Sequence, residues 1–245
     1  MQGNGCHYGT AFPISVVAWI LKREAKLRPN GKITRFIDAC AGWGDRVAGA
    51  LIVGNTIVEN YVGIDPWDIS NQSCKNIYKL LSNKNRCNAI FLQKGAEDET
   101  ESWPDADLVL MCPPYAELEC YNIDSNDPND HQAWRLCTKG KFMSGFIIPM
   151  LRNAAKSTKK TNGRMIINIA NTGKGGGENL TEETKEAAKS MGLELVETFG
   201  MRLSVRATPS TYDHGAPVYR GEPFFVFEHS KSNCNSNSNS KNKII

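Results

Sequence analysis

A chain of 245 residues with 40% hydrophobic and 22% charged residues is long enough to bury a full core and has an ordinary globular composition. Its 29 Lys+Arg against 26 Asp+Glu leave a net charge of +3, which permits a polyanionic partner without demanding one. Eight cysteines without a C-x-x-C pair or Cys/His metal spacing, and no apolar run near the roughly 18 residues of a membrane span, exclude a zinc module and point to reduced thiols in the cytoplasm or nucleus.

Residues 1–10 ("MQGNGCHYGT") are glycine-rich and polar, which predicts a flexible lead-in to a single domain over 11–229. "PISVVAWILKREAKL" places Pro13 at a first-turn position, followed by an apolar stripe of Ile14, Val17, Ala18, Ile20 and Leu21, and reads as a helix. "ITRFIDAC" is a short apolar strand leading through a glycine corner into the helical "DRVAGALIVG". A second strand, "NYVGID", precedes "SNQSCKNIYKLLSN", whose polar start predicts an N-cap. "NAIFLQKGA" and "ADLVLMC" are a third and a fourth strand. "GFIIPMLRNAAKST" is helical, with Pro149 kinking it or sitting near its start. A fifth strand, "GRMIINIAN", precedes "TEETKEAAKSMG", a helix with a capping-box pattern and a terminal glycine. "LELVETFGMRLS" and "EPFFVFEH" are two final strands without a helix between them, expected to pair antiparallel at one edge. The Ser/Asn/Lys-rich residues 230–245 have little to bury and are expected to be disordered.

Apolar strands alternating with helices predict a doubly wound, Rossmann-like, mostly parallel seven-stranded α/β sheet with an antiparallel C-terminal edge pair. In such sheets ligands bind beyond the carboxyl ends of the strands. "FIDACAGWGDR" puts Asp38, Ala39, Gly42, Trp43 and Gly44 at the first of these ends. It lacks both the G-x-G-x-x-G fingerprint and the GK[ST] of a phosphate loop, and a corner of this kind also serves as a plain tight turn. Asp65 ends the second strand, where a carboxylate can accept hydrogen bonds from two ribose hydroxyls. After the third strand, Glu97 or Asp98 stands where an acceptor can meet an adenine amino group. The fourth strand runs into "CPPYAELECY", and two prolines end it abruptly.

In this order, the glycine corner, the two acids and "CPPY" resemble the class I S-adenosylmethionine-dependent methyltransferases. Within them the chain is similar to the amino-methyltransferases of adenine N6 and cytosine N4, which carry [D/N/S]-P-P-[Y/F] at the fourth strand. The likeness spans about residues 10–229 and implies S-adenosylmethionine as cofactor. It implies a nucleic-acid base as target, DNA adenine N6 foremost, and no metal. Asp38, Ala39, Gly42, Trp43 and Gly44 would line the methionine end of the cofactor, Asp65 the ribose, and Glu97 or Asp98 the adenine. Cys112, Pro113, Pro114 and Tyr115 would hold the target amine, the Pro113 carbonyl accepting a hydrogen bond while the Tyr115 ring stacks on an unpaired base.

Two departures keep other readings open. Cys112 stands where the family has Asp, Asn or Ser, and a thiol is a poor acceptor. Backbone carbonyls, Glu117 or Glu119 can substitute for it. No separate target-recognition domain is visible. Residues 122–141 and 205–221 are the only extra segments, with Trp134, Arg135, Lys139, Lys141, Arg206, Tyr212, Tyr219 and Arg220 suited to phosphate and base contacts, and with His131 and His214 as ordinary loop residues. The alternatives are a methyltransferase acting on RNA, a protein amide or a small molecule, and a degenerate fold that binds nucleic acid or a catalytic partner subunit.

Overall fold

The computed structural model describes residues 12–81, 86–115, 141–171, 179–202, 212–213, 216–217 and 221–230. Strands β1 (Ile33–Ala39), β2 (Val58–Ile64), β3 (Asn88–Leu92), β4 (Leu108–Met111), β5 (Arg164–Asn168), β6 (Leu193–Arg202) and β7 (Gly221–His229) form one sheet in the order β3-β2-β1-β4-β5-β7-β6. The first five are parallel to their neighbours, and β7 runs antiparallel between β5 and β6. The last two strands therefore pair antiparallel at the edge, and β7 occupies the inner place. A bulge between Leu195 and Glu197 interrupts the free edge strand β6.

Strand residues alternate between two cores. Phe36, Leu108, Leu110, Ile166, Phe224 and Val226 face helices α1 (Ile14–Lys26), α2 (Asp45–Val53) and α3 (Asp68–Leu80). Ile37, Val109, Met111, Met165, Ile167, Phe225 and Phe227 face α4 (Ile148–Ser157) and α5 (Leu180–Ser190). This period of two within near-continuous apolar runs is what a sheet covered on both faces requires. Strand β3 departs from the expectation of burial on both faces: it is an edge, and its Ile90 is exposed.

Three local expectations need correction. Helix α3 begins at Asp68, before the polar run read as its cap, so Ser70 and Asn71 are buried within it. The capping box of α5 does not form; Asn171 Oδ1 accepts the Thr181 backbone N–H instead, at 2.9 Å. Ahead of α4, Met143–Ile147 form a π-turn in which the Ile148 N–H reaches the Met143 carbonyl five residues back. Pro149 has no N–H for the carbonyl of Gly145, so the widened turn and the first-turn proline belong together.

The lead-in 1–10 and tail residues 231–245 lie outside the described residues, as do Glu117, Glu119, Trp134, Arg135, Lys139, Arg206, Tyr219, Arg220, His131 and His214. Lys141 is exposed, and the Tyr212 backbone pairs with Pro217. No helix among the described residues is long and apolar enough to cross a membrane.

Candidate functional site

Parallel registry puts the chemistry-bearing corners on one rim. Ala39 pairs with Ile64 on one side and Met111 on the other, and Met111 pairs with Ile167. The residues that follow, Cys40, Asp65, Cys112 and Asn168, therefore stand level at the carboxyl ends of four adjacent strands. The bend that carries Trp43 and the double-proline elbow follow adjacent strands, β1 and β4, on this rim.

The first corner is built from backbone conformations that few residues tolerate. Cys40, Gly42 and Gly44 have φ of 64°, 57° and 100°. At Gly44 a side chain is excluded twice over: the conformation is left-handed, and a Cβ would lie 2.6 Å from Ile77 Cδ1. Cys40 carries the strain of a non-glycine residue in this region. Its carbonyl accepts from Arg46 Nη2, and its Sγ turns to Met150 Sδ at 3.8 Å. Burial, with Asp65 beside it, pushes the Cys40 thiol well up. The carbonyl of Trp43 accepts from Ser73 Oγ at 2.9 Å, and the half-buried Trp43 ring sits edge-on to Trp67, centroids 5.1 Å apart.

Asp65 ties the first two corners together. Its Oδ2 accepts the Gly42 N–H at 2.9 Å and its Oδ1 the Trp67 N–H at 3.0 Å. It is 8% exposed and, among the described residues, forms no salt bridge. Burial outweighs the two backbone hydrogen bonds and pushes its carboxyl up to about 6.

Asp38 and Ala39 have no exposed surface. Asp38 accepts from Arg46 Nε at 2.5 Å and from the Tyr61 hydroxyl at 2.6 Å, so it reaches the corner through Arg46. Burial opposes the Arg46 charge, but Asp38 outweighs it and holds the guanidinium above its ordinary value. Of the two acids after β3, Asp98 folds back on Thr100, whose hydroxyl and N–H hold its carboxyl low. Glu97 is half-buried with its carboxyl pushed up by burial first, then by the charges of Asp98 and Asp65. The structure thus separates Glu97 from Asp98.

At the second corner, Pro113 is buried while Cys112, Pro114 and Tyr115 are half-buried. The Tyr115 hydroxyl accepts the Ala170 N–H at 2.8 Å, binding the elbow to the end of β5. Tyr115 packs in the same cluster as Phe142 and Met143 beside the π-turn. Cys112 Sγ donates to Asn168 Oδ1 at 3.5 Å, and Asn168 Nδ2 donates to the Pro223 carbonyl at 3.0 Å.

Sequence reasoning missed Arg46 and Asn168. A signal existed for both: Arg46 opens the helix directly after the glycines, and Asn168 is a polar residue within an apolar strand. Their partners across the fold left no such signal.

No protein-family model and no curated protein sequence matches the chain. Solved structures do. TrmN from Thermus thermophilus aligns over 88% of this chain at 17% identity with a TM-score of 0.53. This chain spans about half of that protein's length, 48%. A putative RNA methyltransferase from Pyrococcus horikoshii aligns over 88% of this chain and 82% of its own, at 11% identity and a TM-score of 0.51. Precorrin-6y C5,15-methyltransferase from Geobacter metallireducens aligns over 94% and 95%, at 10% identity and a TM-score of 0.51. At such identities likeness establishes architecture alone, and with the strand order above it establishes one conclusion. The chain has the class I methyltransferase fold.

Proposed function

We propose that the chain is an S-adenosylmethionine-dependent methyltransferase acting on an exocyclic amine of a nucleic-acid base, with adenine N6 in DNA the leading target. The observation that carries this reading is the juxtaposition of the glycine corner after β1 and the CPPY corner after β4 on adjacent parallel strands at one level. A cofactor pocket and an acceptor pocket can then share one rim.

The residues fit the cofactor. Asp65 is a carboxylate nine-tenths buried whose oxygens, among the described residues, accept only backbone N–H groups, and its ionised form gains from further donors such as ribose hydroxyls. Gly42, Trp43 and Gly44 would border the methionine portion, with Arg46 and Asp38 holding the corner behind them. Glu97 suits the adenine amino group. When bound, S-adenosylmethionine supplies a methyl carbon on a cationic sulfur, so the protein's task is to place and polarise an amine.

An aromatic amine is a weak nucleophile because its lone pair is delocalised into the ring. Acceptors that take its N–H hydrogens favour a tetrahedral nitrogen, and a fixed approach converts an encounter into an effectively unimolecular step. In this reading Cys112 and the Pro113 carbonyl accept those hydrogens. The Tyr115 ring stacks on the base, its hydroxyl anchored by Ala170. The test is incubation of the full chain with labelled S-adenosylmethionine and mixed DNA, RNA and protein fractions, followed by mass spectrometry of the modified nucleoside. Label in N6-methyladenine is the expected result. Label confined to RNA or protein would move the substrate class, and failure of the intact chain to bind S-adenosylmethionine in calorimetry would overturn the reading.

A further inference from the structure

The acid that follows β3 is held in place by a helix. Gly95 to Asp98 form a tight turn, with the Asp98 N–H on the Gly95 carbonyl at 3.2 Å. Asn153, on α4 and only 4% exposed, reaches this turn: its Nδ2 donates to the Ala96 carbonyl at 3.0 Å and to the Asp98 carbonyl at 2.9 Å. Both partners accept only, so the amide orientation is fixed and both its hydrogens are engaged. The two carbonyls are those on either side of Glu97. The same helix holds the rest of the loop, since Ser157 Oγ donates to the Pro104 carbonyl at 2.6 Å and Arg152 pairs with Glu99 at 2.5 Å.

The Glu97 carboxylate has a defined direction and a free face. A Cβ on Gly95 would lie 2.5 Å from its Oε2 and 2.6 Å from its Oε1, so the carboxylate lies back over this glycine, where any other residue has a side chain. Among the described residues, the hydrogen bond that acts on it comes from its own backbone N–H, whereas an ionised carboxylate has about four acceptor sites. The sealed, unpaired side-chain atoms of the described residues belong to Arg23, Arg28, Trp103 and Thr184. The Glu97 oxygen left without a partner therefore opens to solvent.

We propose that Asn153 is a positioning residue for cofactor recognition: by holding the carbonyls on both sides of Glu97, with Gly95 leaving room, it aims the Glu97 carboxylate at a 6-amino purine and selects it over a 6-oxo purine. An amino group donates to a carboxylate, and a 6-oxo group sets a second acceptor against it. Asp98 cannot take this part, because Thr100 occupies its carboxylate. Met150, one turn before Asn153 on α4, places its Sδ 3.8 Å from Cys40 Sγ, so the helix that holds Glu97 also touches the corner after β1. The inference rests on the cofactor assignment proposed above and adds the residue through which Glu97 acts.

Two measurements on the full chain test it. In calorimetry the probes are S-adenosylhomocysteine and its 6-oxo, inosine-containing counterpart. The wild type should favour the amino form about tenfold, as one hydrogen bond to a charged group gives. Asn153→Leu and Gly95→Ala should each remove most of that preference, weakening the amino form and leaving the 6-oxo form nearly unchanged. Gly95→Ala keeps the Asn153 side chain, so it tests the direction of Glu97 with the helix intact. In a Glu97→Leu background Asn153→Leu should change the ratio no further. The second measurement needs no ligand: the Glu97 carboxyl, assigned by its loss in Glu97→Gln, is titrated by carbon-13 NMR. Burial, then Asp98 and Asp65, hold it above its ordinary 4.5, and in Asn153→Leu it should fall toward that value as the turn opens to water. A wild-type preference near one, equal weakening of both probes in Asn153→Leu, or an unmoved titration would overturn the proposal. A wild type that binds neither probe would overturn the cofactor assignment, and the selection with it, while the titration would still show whether Asn153 holds Glu97.

Discussion

At the amino ends of β4 and β5, Glu24, fully buried on α1, meets Arg164 Nη1 at 3.0 and 3.2 Å, and Arg164 Nε meets Glu228 at 2.8 Å. Arg28 donates to the carbonyls of Glu24 and Asp107, and Lys159 bonds Asp107 at 2.7 Å. Burial pushes the Asp107 carboxyl up, but hydrogen bonds from Lys159 and the Arg35 backbone amide outweigh it and hold it low. At the carboxyl ends of the same sheet, Asp65 and Glu97 are pushed up by burial, and neither forms a salt bridge among the described residues. One rim spends its buried acids on arginines and lysine and gains a rigid base. The other pairs Asp38 with Arg46 but gives Asp65 and Glu97 no cationic partner among the described residues, which costs the free protein stability and gives a ligand with hydroxyl or amino groups something to satisfy.

Substitutions at the two rims should therefore differ in kind. Glu24→Ala removes the fully buried carboxylate that meets Arg164 Nη1 and Arg28, and should lower stability by about 3 kcal/mol in urea unfolding, as loss of one partner from a buried pair does. Binding of S-adenosylmethionine by the chain that remains folded should be unchanged. Asp65→Asn removes a buried charge but sets its NH2 against one of the two backbone N–H groups that the carboxylate accepts, so a gain and a loss oppose each other and stability should fall by about 1 kcal/mol, less than in Glu24→Ala. Its cofactor Kd should nonetheless rise about tenfold in calorimetry, because an amide is the weaker acceptor for hydroxyls. If Asp65→Asn unfolds the protein as far as Glu24→Ala does, the contrast between the rims is broken.

Acidity sharpens the same contrast. The folded chain raises the Asp65 pKa from 3.8 to about 6, so the native state binds this proton more tightly than the unfolded chain. The Asp65 contribution to stability is therefore complete below the unfolded value and is lost as pH rises through about 6. Asp107, held low, contributes in the opposite sense: its share is present above the ordinary carboxylate range and disappears as pH falls through its folded value. The stability of the wild type relative to Asp65→Asn should decline between about pH 4 and about pH 7. Cofactor affinity of the wild type should rise over that interval, and the variant should lack the rise. A flat difference would mean that Asp65 is not the group responsible.

Period-two apolar runs alternating with helices carried the sheet, because burial on both faces leaves that pattern whatever the tertiary partners. The place of β7 between β5 and β6 did not follow, since nothing local states which neighbour a strand takes. The apolar stripe of α1 gave the helix face, yet Glu24 within it meets Arg164 140 residues away. The rim was legible because parallel strands must bring their carboxyl ends together. Side-chain direction at the rim was not: the positive φ of Cys40 turns the chain two residues after Asp38, and Asp38 pairs with Arg46 beyond the turn. The cap read at Ser70 failed for a related reason. A polar cluster signals a helix start only if its side chains stay at the end, and here Ser70 and Asn71 are buried inside the first turns.

The smallest effect is expected at Tyr115, where ring and hydroxyl have separate tasks. The hydroxyl takes the Ala170 N–H at 2.8 Å and fixes the elbow to β5, while the ring packs against the core cluster that Phe142 and Met143 also join. Tyr115→Phe keeps the ring and leaves the Ala170 N–H without its phenol partner. Ala170 is half-buried, so water can replace much of that bond, and the cost should be about 1 kcal/mol or less. Methyl transfer should then fall only a few-fold, with KM for S-adenosylmethionine unchanged. Tyr115→Ala removes the stacking face as well, and should lower transfer a further tenfold or so, as loss of one base–aromatic stack does. Equal losses in the two variants would assign the role to the hydroxyl. The elbow would then matter for holding β4 to β5, as the arginine network holds the opposite rim, and not for receiving a base.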